Sequence, residues 1–463
     1  MSLVGRGDLA GQVYRGLRAA ILDGRLRAGD RLPPSRELAR SLAVSRNTVT
    51  IAYERLIAEG FLTSRVGAGT FVDQVPVGRP TSRPSAGLRP RPDWAYWPAA
   101  TSGERTLEYD FRVGIPDAGL FPFDTWRRLV AHDLRRTAHG PGTYAPPTGY
   151  PPLREAIARY VGIARSVRAE PDDVLVTSGA QQALDLIGRV LVGPGDVVAV
   201  EEPGYPPARA LFSSLGARVV GVPVDAEGLV VDRLPRKARL VFTTPSHQMP
   251  LGVPMSLSRR AALLAWAERA GAAVIEDDYD SEFRFADRPL DSLHSLDTGG
   301  RVVYVGTFSK TMLPALRLGF LVAPVGLRAA LAGAKQLVDW YSPIATQAAL
   351  AHFADSGQLA AHIRRTTKQY RRRRDAVLSA LAADDRLVPM PSVAGLHVSA
   401  RLRYGDAARA RAVARAALAS GVGIEPLAGY CAGQPQAGFV FGYGNARAER
   451  IPDGMAIINK LLR

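Results

Sequence analysis

The sequence predicts two folded parts of different class: a small helical head ending in a β-hairpin, and a large α/β body built on a mostly parallel sheet. Three observations predict this. Short segments with apolar residues at helical spacing fill the first 60 residues. Short apolar strands alternate with helical segments from about residue 140 to 350. Between the two lies "DQVPVGRPTSRPSAGLRPRPDWAYWPAATSGERT", residues 73–106, which is rich in Pro, Arg, Ser and Gly and keeps no period. It is too long for an ordinary loop inside a compact domain, so it reads as a linker. The expected boundaries are a head at 1–72, a linker at 73–106 and a body at 107–463.

At 463 residues and 47% hydrophobic content the chain can bury a sizeable core. No apolar run approaches the length of a membrane span, and the opening "MSLVGRGDLAGQVYRGL" is polar and reads as a helix, not a signal peptide. The single cysteine, Cys431, excludes an internal disulfide framework and fits a cytoplasmic protein. No Cys and His cluster has zinc-ligand spacing, so no metal is expected. The net charge of +16 suggests a polyanionic partner without specifying one.

In the head, Leu9, Val13, Leu17, Ala20 and Ile21 share one helical face. Ser35 is expected to cap a second helix with Leu38, Ala39 and Leu42 inward. Ser45 caps a third, with Val49, Tyr53, Leu56 and Ile57 inward and Gly60 stopping it. The turn "LAVS" between them is short, as a helix-turn-helix requires. "FLTSRVGAGTFV" follows as a hairpin or wing. The third helix opens "SRNTVT", crowding Ser45, Arg46, Asn47, Thr48 and Thr50 at its exposed start, side chains that reach phosphates and base edges in a major groove. The head carries 11 arginines against 6 acids.

"LPPSRELARSLAVSRNTVTIAYERLIAEGFLTSRVGAGTFV" resembles the winged helix-turn-helix of the GntR regulators. That resemblance implies contacts to double-stranded operator DNA from Arg36, Ser45, Arg46, Asn47 and Thr48, with Gly67 in the wing against the minor groove.

In the body, strands end in reactive or polar residues, and sites in such sheets gather at the carboxyl ends of strands. "TSGAQQAL" turns from a strand through Gly179 into a helix start, a ready phosphate site. "EEPGYPP" offers Tyr205, and "VIEDDYD" puts Asp277 and Asp278 at the end of an apolar strand, where carboxylates need a cation or donor. "GTFSKTMLPALRLGF" holds Lys310, one of five lysines in a chain that otherwise uses arginine. A desolvated lysine can lose its proton and attack a carbonyl, which guanidinium cannot. A lysine, an acid for a ring nitrogen, an aromatic ring and a phosphate cup together are what pyridoxal phosphate needs.

The body resembles the fold-type I aminotransferases, and the order of winged helix, linker and body resembles the MocR-type branch of the GntR regulators. The resemblance implies that Lys310 carries the internal aldimine of pyridoxal 5'-phosphate. It implies that Asp277 pairs with the pyridinium nitrogen, Tyr279 bonds the phenolic oxygen and Tyr205 stacks on the ring. Ser178, Gly179, Ala180 and Gln181 would bind the phosphate, completed by Thr307, Ser309 and Arg317. Tyr144 matches a tyrosine that reaches across a dimer interface, which implies a homodimer.

Two departures stand out. "HQMPLG" has Met249 where aminotransferases carry an asparagine on the phenolic oxygen, leaving Tyr279 alone or helped by His247 or Gln248. The C-terminal arginine that clamps a substrate carboxylate is not evident, with Gly429 or Val440 in its place. The expectation is therefore a DNA-binding regulator that senses a small-molecule effector, an amino compound or the cofactor itself, and not an enzyme. An aminotransferase with a fused head is the alternative.

Overall fold

The computed structural model describes residues 7–65, 67–73, 107–135, 144–285 and 291–463. The expected linker, apart from Asp73, lies outside them. The chain divides into two compact units, residues 1–91 and 92–463.

The first unit packs three helices, Leu9–Leu22, Ser35–Ser41 and Arg46–Ala58, with a hairpin of strands Leu62–Arg65 and Gly69–Val72. Its core joins Val13, Tyr14, Leu17 and Ile21 to Ala39, Val49, Ala52, Tyr53, Leu56, Leu62 and Val72. The turn between the second and third helices closes through Ala43, whose left-handed φ of 54° lets Val44 N–H reach the Ala39 carbonyl. Two expectations need correction. Ser35 is the first helical residue and Pro34 the cap, because the Pro34 carbonyl takes the N–H groups of Glu37 and Leu38. Ile57 is 38% exposed, because Val49, Ala52, Tyr53 and Leu56 already fill the inward arc and residue 57 lies one step past it.

The second unit is built on an eight-stranded sheet. Its spatial order is Val174–Thr177, Gly319–Val322, Val302–Thr307, Ala273–Asp278, Ala238–Thr243, Val197–Glu202, Arg218–Asp225 and Gly228–Leu229. The four successive pairings from Val302–Thr307 to Arg218–Asp225 are parallel. Gly319–Val322 runs antiparallel to both of its neighbours. Both faces are covered, as parallel sheets require. Val198, Val200, Leu240, Phe242, Ile275, Val303 and Val305 enter one core, while Ala199, Val241, Val274 and Val302 enter the other. This is why these strands read as continuous apolar runs.

A second, antiparallel sheet of Leu387–Pro389, His397–Leu402, Gly438–Gly442 and Glu425–Pro426 packs against helices Gln358–Ala382, Ala407–Ala419 and Ile451–Leu461. No helix among the described residues is long and apolar enough to cross a membrane.

Candidate cofactor site and nucleic-acid interface

On the first unit, Ser45 caps the third helix: its Oγ accepts from Thr48 N–H at 3.1 Å and lies 2.8 Å from Thr48 Oγ1. Ser45 and Thr48 are thus bound to each other at the helix start, while Arg36 and Asn47 are exposed. Arg46, also exposed, donates to Ser35 Oγ at 3.4 Å. Neither Arg36 nor Arg46 meets a carboxylate among the described residues. Gly67 has a φ of +75° and open space where a Cβ would stand, at the turn of the hairpin.

In the second unit, the carboxyl ends of the parallel strands converge on Lys310. Its Nζ donates to the Gly114 carbonyl at 2.7 Å. Burial lowers the pKa of this amine, opposed by the charges of Asp280 and Asp277. Gly114 has a φ of +81°, and a Cβ there would stand 2.9 Å from Nζ, so the glycine makes room for the amine.

Register sets Asp277 beside Val305 and Asp278 beside Gly306. Alternation along the strand then sends the two carboxylates to opposite faces. Asp278 accepts from Arg165 Nε and Tyr304 Oη, both at 2.6 Å, and its pKa is lowered despite full burial because of Arg165. Asp277 Oδ1 has no hydrogen-bond partner among the described residues. Burial, then the charges of Asp278 and Asp280, push its carboxyl up to about 7. Tyr205 lies within the field of both Asp277 and Arg317, with its ring stacked on Phe242 at 27° and its phenol pushed up to about 12 by burial.

Tyr279 Oη donates to the His247 carbonyl at 3.0 Å and stands 3.1 Å from His247 Nδ1. His247 Nδ1 is also 3.0 Å from Asp280 Oδ1, and Asp280 Oδ2 accepts from Leu396 N–H. His397 packs on His247 at 4.5 Å between ring centroids, and burial holds its pKa well below the usual histidine range. Of the two helpers considered for Tyr279, His247 reaches it. Gln248 instead donates to Glu201 Oε2, which also accepts from Thr244 Oγ1. Met249 is buried among Leu251, Leu427, Tyr430 and Val440, so an apolar wall stands at both departure points.

Sequence spacing missed the buried His247–Asp280–His397 cluster, whose ligand-type atoms lie within 4.8 Å of one another, and a second group of His132, Asp133 and His352. His247 and Asp280 lie 33 residues apart, and His397 comes from a segment more than a hundred residues beyond them. Local motif spacing carries no signal for such a set.

The turn after Val174–Thr177 starts a helix, Ala180–Leu191, whose cap is Gly179 at a φ of +86°. No side chain caps it, which leaves its N-terminal N–H groups for an anion. Arg317 Nη2 donates to the Ser178 carbonyl at 2.6 Å and would stand 2.8 Å from a Cβ at residue 179. Thr307 Oγ1 lies 3.0 Å from Ser309 Oγ. The Gln181 side chain is exposed; Gln182 is the one that accepts from Ser178 N–H, at 2.8 Å. Behind the turn, Ser178 Oγ meets Ser342 Oγ at 3.1 Å, and the fully buried Lys335 is paired with Asp339. Tyr144 is 75% exposed and packs against Trp340 at 4.6 Å, away from the Lys310 amine's own contacts.

These features fit pyridoxal phosphate. A buried carboxylate oxygen without a donor suits a protonated ring nitrogen. A desolvated amine suits capture of an aldehyde. An uncapped helix start beside an arginine suits a phosphate.

Residues 110–430 match the family of class I and II aminotransferases, and residues 9–72 match the bacterial regulatory proteins of the gntR family. The chain is 39% identical over 453 residues to the probable rhizopine catabolism regulatory protein MocR of Rhizobium meliloti, covering 96% of this chain and 92% of that one. It is 33% identical over 435 residues to the pyridoxine biosynthesis transcriptional regulator PdxR of Corynebacterium glutamicum, covering 94% and 91%. Among solved structures it is similar to the kynurenine aminotransferase of Pyrococcus horikoshii, with a TM-score of 0.71 and 30% identity over 76% of this chain and 90% of that one. A gntR-type DNA-binding domain joined to an aminotransferase-like body, matched nearly end to end by regulators of that build, means that the chain belongs to the MocR-type GntR regulators.

Proposed function

We propose that the protein is a DNA-binding transcriptional regulator whose aminotransferase-like unit holds pyridoxal phosphate on Lys310 and responds to a small amino compound or to the cofactor itself. The observation that carries this reading is Asp277. A fully buried, unpartnered carboxylate oxygen is costly, and it lies in the field of the lysine amine that would hold the cofactor.

When bound, the cofactor supplies an aldehyde for amines to add to. The residues of this chain do the rest. Lys310, with its amine made less basic by burial, would be the group that holds the cofactor. Asp277 would hold a proton on the ring nitrogen, and Tyr205 would supply a face for the ring. Tyr279, steadied by His247 and Asp280, would donate to the phenolic oxygen. Ser178, Gly179, Ala180, Gln181, Thr307, Ser309 and Arg317 form the phosphate cup, with Gln182 fixing the turn. Tyr144 serves a homodimer interface, and two heads on one dimer read two half-sites of an operator through Arg36, Arg46, Asn47 and the wing. A DNA partner implies a cytoplasmic protein.

An aminotransferase with a fused head is the second reading, favoured by the solved structures of aminotransferases that the body resembles. Against it stands the missing carboxylate-binding arginine, with Gly429 or the buried Val440 where it is expected. The test is direct. Purified protein should be yellow, lose its colour to borohydride, and bind a duplex from the region upstream of its own gene. Sustained turnover with amino and keto acids, without such binding, would favour the enzyme.

A further inference from the structure

The helix Gln358–Ala382 carries a dense basic face that the cofactor chemistry does not use. Arg364, Arg365, Lys368, Arg371 and Arg372 are all exposed. At 100° per residue they fall within roughly a third of the helix circumference, along about 12 Å of its axis. The buried face of the same helix is made by Leu359, His362, Thr366, Tyr370, Arg373, Val377 and Leu381, so the basic face points to solvent.

Two of the five are tied to backbone: Arg365 to the Leu120 carbonyl and Arg371 to the Phe285 carbonyl. Arg364, Lys368 and Arg372, spaced at i, i+4 and i+8, meet no carboxylate and no hydrogen-bond partner among the described residues. Like charges at this spacing repel and weaken the helix. Some surface arginines are matched by an acid, as in Arg189 with Asp185, Arg259 with Asp225 and Arg301 with Glu268, whereas Arg364, Lys368 and Arg372 meet none among the described residues.

We propose that Arg364, Lys368 and Arg372 form a second, sequence-independent contact to the phosphate backbone of duplex DNA, in addition to the head. The inference rests on the DNA-binding reading above and extends it to the aminotransferase-like unit. The three cations step about 6 Å apart along the helix. Duplex DNA presents one phosphate charge per roughly 1.7 Å of axis, so a 12 Å stripe always faces several. A regulator anchored this way holds more of the duplex than its heads alone can cover.

The test uses the full chain. Arg364→Ala/Lys368→Ala/Arg372→Ala protein is titrated by anisotropy against its own upstream duplex and against an unrelated duplex, over a range of salt. Each lost phosphate contact should flatten the slope of log affinity against log salt by about 0.9, so a change of about 2–3 is expected on both duplexes. Arg411 and Arg415, exposed on another helix, serve as the control for general charge. An unchanged slope in the triple variant overturns the proposal, as does an equal change per charge in Arg411→Ala/Arg415→Ala protein. Loss of binding in Arg46→Ala with an unchanged slope in the triple variant sinks the stripe and leaves the head. No duplex binding by the unaltered protein sinks both.

Discussion

Asp277 and Asp278 are consecutive in one buried strand, yet Arg165 lies 2.6 Å from Asp278 Oδ2 while Asp277 Oδ1 has no hydrogen-bond partner among the described residues. The pair separates structure from chemistry within two residues. Asp278→Asn removes the carboxylate that clasps buried Arg165, so it should cost about 3–5 kcal/mol of stability and little specific chemistry. Asp277→Asn should do the opposite.

The pH dependence follows from the sign of the shift. The Asp277 carboxyl sits at about 7 in the fold against an ordinary 3.8. Between those values the folded chain holds a proton that the unfolded chain has released. Stability of the cofactor-free protein should therefore fall as pH rises from about 4 to 7, by on the order of 2–4 kcal/mol from this group. Denaturant melts of cofactor-free Asp277→Asn protein should show a shallower fall than the unaltered protein, and its affinity for pyridoxal phosphate should drop at least tenfold. Equal pH slopes in the two proteins would mean that another acid carries the shift; Glu282, also pushed to about 7, is the next to substitute.

Lys310→Arg keeps a cation beside Asp277 and Asp280 but removes the only chemistry that arginine lacks. The visible absorbance that borohydride discharges should vanish while the circular dichroism stays. A surviving reducible band would move the assignment to another lysine, and the buried Lys335 behind the Ser178 turn is the first to test.

Much of this was legible in the chain. The third helix announces itself through Ser45 and its apolar spacing, and the parallel strands through runs such as "VVYVG", because burial on both faces removes polar alternation. Other features were not legible. Gly319–Val322 is short, follows a proline-bearing turn, and runs against the sheet's direction; nothing local marks that reversal. The choice between Asp277 and Asp278 depends on Arg165, more than a hundred residues away in sequence. His247 meets Asp280 and Tyr279 from a different strand end, 33 and 32 residues away, and only the folded chain joins them.

Tyr279 gives a spectroscopic test of that joined set. A hydroxyl that donates to the phenolic oxygen stabilises the more negative, deprotonated form of the bound chromophore more than the protonated one. Tyr279→Phe should then raise the pH midpoint of the visible band by about one unit, equivalent to about 1.4 kcal/mol. His247→Ala, which takes one anchor from the tyrosine, should move the midpoint in the same direction by less. A midpoint that responds to His247→Ala but not to Tyr279→Phe would assign the donor to the histidine itself.

Ser45 and Arg46 adjoin at the start of the third helix and should fail in different ways. Ser45 Oγ takes the Thr48 N–H, so Ser45→Ala removes a cap worth about 1 kcal/mol, lowering the head's melting temperature with a modest loss of DNA binding. Arg46 makes one long bond to Ser35, so Arg46→Ala should leave melting nearly unchanged. Its loss should appear as weaker binding to the upstream duplex, by roughly tenfold, with a salt slope flatter by about 0.9 if it neutralises a phosphate. Base readout by the same side chain would lower affinity for the upstream duplex and leave an unrelated duplex unaffected. Because Arg46 and Lys310 belong to separate compact units, pyridoxal phosphate binding should be the same in both variants as in the unaltered protein. Parallel losses of cofactor and DNA in Arg46→Ala would show that the units do not act independently.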